Sequence, residues 1–187
     1  MGTVSLTSLW LPILVSAIGV FVGSFLMWMV LPHHKKDWGK VADEDGLMDT
    51  LRAQGVKAGQ YAFPCAETSA QMNDPEFQKR YAAGPSGMMV IRPTGGFNMG
   101  TGLAKSFGFN LVISICVAYV ASITLVPAAS GMQIFRLTSV VAFLGYAGAL
   151  GWGVIWWSRT WSSTIKEMLD GLFYGLITGA AFLLLWP

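Results

Sequence analysis

Four long apolar runs constrain this chain more than any other feature: Leu9–Leu31, Phe107–Val126, Ile134–Trp157 and Leu169–Trp186. Each is about 20 residues long, enough for a helix to cross a ~30 Å hydrocarbon core at ~1.5 Å rise per residue. A bilayer interior offers no water to backbone N–H and C=O groups, so segments of this kind satisfy themselves as helices. The expected fold is therefore an all-α integral membrane protein. It is a four-transmembrane-helix bundle with a small α+β cytoplasmic insert between the first and second helices. The expected division is residues 1–32 for the first span, 33–106 for the insert and 107–187 for the other three spans.

Charge is segregated in the same way. Of the 22 Lys, Arg, Asp and Glu residues, 16 lie from Lys35 to Arg92; only Lys105, Arg136, Arg159, Lys166, Glu167 and Asp170 lie beyond. A net charge of +2 gives no basis for nucleic-acid binding. Basic residues near helix ends set orientation. With four spans, Lys35, Lys36, Lys40, Arg92, Lys105, Arg159 and Lys166 fall on one side and Arg136 alone on the other. The insert is accordingly expected in the cytoplasm, both termini outside, and the chain in a bacterial inner (plasma) membrane. The first run has no basic n-region and no A-x-A cleavage site, which reads as a retained span rather than a signal peptide.

The insert carries its own local signals. Asp43 or Asp45 can cap a short helix bearing Leu47, Met48 and Leu51, with Gly55 as its stop. Asn73-Asp74-Pro75-Glu76 marks a second helix more sharply, with Asp74 as N-cap, Pro75 at the first helical position and Gly84 at the end. Residues 60–64 and 88–92 read as short strands.

Small residues recur at helix-packing spacing: Gly19 and Gly23 in the first span, and Gly171, Gly175 and Gly179 in the fourth. Such ridges let backbones approach closely where lipid removes the hydrophobic drive for association. They serve packing within one bundle or, alternatively, a docking face for a partner. Tryptophans mark the expected interfaces, with Trp152 about one turn inside the third span, where a packed or lipid-facing position is expected. Cys65 and Cys116 fall in the insert and mid-span, and no disulfide between them is expected.

Three constellations bear on chemistry. His33 and His34, followed by Asp37, Asp43, Glu44 and Asp45, are metal-ligand types without a ligand spacing. They read as a polar collar; were a metal held, Cys65 or the acidic residues would complete the set. The segment from Gly95 to Ser106 resembles a Walker A loop only superficially, since Leu103 and Ala104 separate glycine from Lys105-Ser106. It reads first as a flexible re-entry loop, and second as an anionic-headgroup site built on Arg92, Gly100, Gly102 and Lys105. Asp170 is the acid deepest in an apolar run, and intramembrane ionisable groups are functional suspects. An ion pair with Lys166 at i, i+4, or with Arg159 or Lys105, is the expected arrangement.

Nothing in the chain has the pattern of a Ser–His–Asp, Cys–His or paired-acid catalyst, and no cofactor is expected. The expected function is a non-catalytic accessory or docking subunit of a larger membrane complex. Its partners are the lipid bilayer and other membrane subunits or further copies of itself. The alternative is an oligomeric lipid- or small-molecule-handling transporter.

Overall fold

The computed structural model describes residues 4–96 and 98–187. It divides into a helical body, built from the chain up to Trp38 and from Asn98 onward, and a separate smaller unit beginning at Gly39.

The helical body starts with α1 (Trp10–Phe25), preceded by a 3-10 turn at Leu6–Leu9 and followed by a π-helical turn at Leu26–Val30. After the insert come α5 (Met99–Thr124), α6 (Gly131–Ala147), α7 (Leu150–Trp157) and α8 (Trp161–Leu184). Counting the turns that extend α1 and taking α6 with α7, these make four helical segments of 25, 26, 27 and 24 residues, each long and apolar enough to cross a membrane. Two of them begin well before their apolar runs, because side chains cap them early. Asn98 accepts from the Thr101 N–H at 3.0 Å, and Thr160 from the Ser163 N–H at 3.4 Å. The segment from Gly100 to Ser106, expected as a re-entry loop, is thus the first two turns of α5. The third segment breaks between α6 and α7 at Gly148 and Ala149, inside a glycine-rich stretch of low helix propensity.

Packing in this body is inverted relative to a water-soluble domain. Ser16, Ser114, Thr138 and Thr178 are fully buried, whereas Phe25, Tyr119, Leu144 and Trp152 are exposed. The buried hydroxyls are satisfied locally: Ser16 meets Ser114 at 3.0 Å between α1 and α5, and Thr138 and Thr178 donate to carbonyls one turn back. Apolar side chains facing outward around small and polar ones is the pattern lipid selects.

The glycines explain how closely α1 and α6 pack on α8. A Cβ placed on Gly19 would lie 2.8 Å from Ile177 Cγ2, and one on Gly23 2.8 Å from Ile177 Cδ1, so α1 rests on α8 there. On another face of α8, a Cβ on Gly171 would lie 2.6 Å from Ala147 Cβ, and one on Gly175 2.8 Å from the Ser139 carbonyl oxygen. Gly179 likewise faces Ser139 and Phe135. Around these seams Leu9, Val117, Ala118, Ile134, Ala142 and Phe182 form the apolar core.

The insert contains α2 (Glu44–Ala53), β1 (Gly59–Phe63), α3 (Ser69–Met72), α4 (Pro75–Ala83) and β2 (Gly87–Ile91). The strands pair antiparallel, with Gly59 opposite Ile91, Tyr61 opposite Met89 and Phe63 opposite Gly87. Asp43 caps α2 by accepting from the Gly46 N–H at 2.9 Å, and Asp74 caps α4 by accepting from Glu76 and Phe77. Gly55 and Gly84 take positive φ of 66° and 61° after those helices, where a Cβ would be strained. The single turn α3, capped by Thr68, was not anticipated from the sequence. No described residue from Gly39 through Gly96 is buried.

Candidate functional site

The only group of three metal-ligand side chains brought together among the described residues lies at one end of the helical body, where the π turn gives way to the insert. Pro32 opens a 3-10 turn, Pro32–His34, and such a turn sends successive side chains about 120° apart. His33 and His34 therefore lean on Asp170 of α8 from two directions, their rings 4.1 Å apart and inclined by 44°. His33 Nε2 stands 3.1 Å from Asp170 Oδ1, and His34 Nε2 stands 2.8 Å from Asp170 Oδ2.

The contacts continue on the other side of His34. Its Nδ1 lies 2.6 Å from Asp37 Oδ2, and Lys166 Nζ donates to Asp37 Oδ1 at 2.5 Å. A chain of five side chains results, running Lys166, Asp37, His34, Asp170, His33. The three in the middle have side chains only 5–6% exposed, while His33 at 30% and Lys166 at 27% reach its outer edge. Trp28, carried by the π turn, stacks on the His34 imidazole with ring centroids 3.9 Å apart and planes 5° from parallel. Lys166, Asp170 and Tyr174 form a stripe at four-residue spacing on α8.

Electrostatics follow from this order. Burial alone pushes the His34 pKa down, but the hydrogen bonds to Asp37 and Asp170, and the charges of both carboxylates, outweigh it and hold the value above the ordinary 6.5. The Lys166 ammonium, and after it His34, hold the Asp37 carboxyl below its ordinary value.

Several sequence expectations are corrected here. Asp170 pairs with neither Lys166 nor Arg159: Lys166 reaches Asp37, and Arg159 pairs with Glu167. Asp170 instead completes the set begun by His33 and His34, in place of Cys65 or the acidic residues at 43–45. His33 and His34 follow the end of the first long apolar helix, and Asp170 lies between two and three turns into the fourth, so helices that alternate in direction would bring them to one end of the helical body.

Gly100 and Gly102 lie inside α5, where the Gly102 N–H already donates to the Asn98 carbonyl at 3.2 Å. Lys105 is on α5, Arg92 follows β2 in the insert, and neither has an ion-pair partner among the described residues. Gly19, Gly23, Gly171, Gly175 and Gly179 all face helices of their own chain, so these two ridges are filled from within. Trp152 is exposed on α7.

No protein-family model, curated protein or solved structure is matched by this chain.

Proposed function

We propose that this chain is a small, non-catalytic integral membrane protein that serves as an accessory subunit of a membrane complex, docking a protein partner through its insert. In this reading the four long helices form a bundle in a bacterial inner membrane. Residues 33–106 are cytoplasmic and both termini lie outside. The inverted packing of the helices and the basic residues at one set of helix ends support that placement.

The observation that carries the docking role is that no described residue from Gly39 through Gly96 is buried. Its helices are capped and its strands are in register, yet Met48, Phe63, Met72, Tyr81, Met88 and Val90 remain between 41% and 70% exposed. A two-stranded sheet with one face open and the other half-buried is marginal on its own. On the exposed face Val90 pairs with Gln60 and Met88 with Ala62, a mixed apolar and polar pattern suited to a protein surface. The chain of contacts from Lys166 to His33 supports the same role, because it fixes the segment just ahead of the insert to α8.

The competing transport reading loses support from the glycine seams. Neighbouring atoms fill the space beside Gly19, Gly23, Gly171 and Gly175, so a path through one copy has no room there.

The test is gentle extraction of the tagged protein from its native membrane, native mass measurement, and comparison with Val90→Asp and Met88→Asp. A stoichiometric foreign subunit that both substitutions release, with the helical body still folded, supports docking through the insert. A homo-oligomer holding only lipid refutes it.

A further inference from the structure

We infer that His33, His34 and Asp170 form a binding site for one divalent transition-metal ion, of the kind imidazole prefers and Zn²⁺ represents, with Asp37 holding His34 in its ligating form. This stands on the geometry of the cluster and does not depend on the accessory role.

Spacing is the first argument. One ligand atom from each of the three residues lies within 4.8 Å of the others. Around a tetrahedral zinc with bonds of about 2.0–2.1 Å, neighbouring ligand atoms stand about 3.3 Å apart. The two imidazole-to-carboxylate separations are 3.1 and 2.8 Å. These two run to different oxygens of the Asp170 carboxylate, and the three ligand atoms lie within 4.8 Å of one another, so admitting an ion asks for side-chain adjustment with no movement of the helices.

Hydrogen counting is the second. A neutral imidazole has one N–H, yet both nitrogens of His34 face carboxylate oxygens. With the proton on Nδ1 for Asp37, the Nε2 lone pair points at Asp170, and a cation between them removes the conflict. An imidazolium could also do so, and with Lys166 it would balance the charges of Asp37 and Asp170. In that balance a neutral His33 donates from Nε2 to the other oxygen of the same carboxylate. A metal ion uses His33 as a third ligand.

The surroundings are the third. Metal-bound histidines commonly present their second nitrogen to a carboxylate, which fixes ring and tautomer. Asp37 does this for His34 and is itself held by Lys166. Trp28 covers the His34 ring. His33 is the more exposed ligand, so the open side of the site, and its entry route, lie with it. Two imidazoles to one carboxylate favour zinc-like ions over magnesium or calcium, which select oxygen.

The experiment uses the full chain, purified in detergent and stripped with chelator, then titrated with Zn²⁺ by calorimetry and with Co²⁺ by visible absorption. The expected result is one equivalent bound, with ligand-field bands from nitrogen and oxygen coordination. Binding should weaken by about tenfold or more in both His33→Gln and Asp170→Asn, and Cys65→Ser should leave it unchanged. His33→Gln is decisive if Asp170→Asn does not survive purification, because it leaves the Lys166–Asp37–His34–Asp170 contacts in place. Absence of saturable binding, a loss below tenfold in His33→Gln, or loss in Cys65→Ser overturns the assignment.

Discussion

Removing the Asp170 carboxylate should destabilise this protein far more than removing another acid three residues away on the same helix. Asp170 is 4% exposed and takes both histidines, whereas Glu167 holds only Arg159 at a partly exposed edge. Deleting one member of a buried pair costs about 3–5 kcal/mol, since the other member is left desolvated without its partner. The lower end applies, because His34 can release a proton and keep its contact with Asp37. A loss of about 3 kcal/mol corresponds to a drop of roughly 6–12 °C in thermal midpoint, at about 2–4 °C per kcal/mol for a chain of this length. An exposed pair is worth about 1 kcal/mol or less, so Glu167→Ala should move the midpoint by at most a few degrees. Asp170→Asn should fall between, as its amide can still accept from one histidine and donate to a neutral second. The assay is thermal unfolding in detergent with chelator throughout, so that no metal contributes. Equal midpoints for Asp170→Ala and Glu167→Ala would refute the view that this cluster pins the first span to α8.

The helix seams and the insert allow sharper contrasts. Gly175→Ala sets a methyl 2.8 Å from the Ser139 backbone oxygen, which cannot rotate away, and should cost about 1–3 kcal/mol. Gly108→Ala, in α5 with nothing within 4 Å, should instead gain up to about 1 kcal/mol of helix propensity, so thermal midpoints should shift in opposite directions. In chelated protein the stabilising contribution of His34 is complete below 6.5 and is lost as pH rises through its raised folded value. That of Asp37 is complete above 3.8 and is lost as pH falls through its lowered folded value. The midpoint advantage of wild type over His34→Gln should therefore be largest between about pH 4 and 6.5 and shrink above it; an advantage constant up to pH 9 would contradict the hydrogen-bond pattern. Finally, a membrane-impermeant maleimide should modify exposed Cys65 in inside-out vesicles but not in right-side-out cells, and should spare Cys116, within the apolar stretch of α5, in both. Labelling of Cys65 in intact cells would reverse the proposed orientation.

The four long helices were legible because each apolar run exceeds what a soluble core helix needs. The insert was legible because Asp43, Asp74, Pro75, Gly55 and Gly84 are local devices that act within four residues of themselves. Helix starts were less so. Hydropathy finds where the hydrocarbon-length stretch lies, while the first turns of α5 and α8 are decided by Asn98 and Thr160, whose short caps look like loop chemistry when read singly. The break at Gly148 was hidden for the opposite reason, since its flanks stay apolar through Trp157.

The His33–His34–Asp170 cluster was missed because its members are 136 and 137 residues apart, and each had a bland reading in its own neighbourhood. A stripe at i, i+4 made Lys166 the obvious partner for Asp170, but the same spacing leaves both side chains on one face and free to reach a third element. That element is the turn after the first span. If the helices cross a bilayer as proposed, position along each span is a second coordinate that links residues regardless of their separation in sequence. Ionisable groups at one depth and one face become partners by default, because each is costly to bury alone. Two histidines at the exit of one helix and an aspartate near the entry of another therefore predict each other, and Asp37 and Lys166 follow as the groups that complete them.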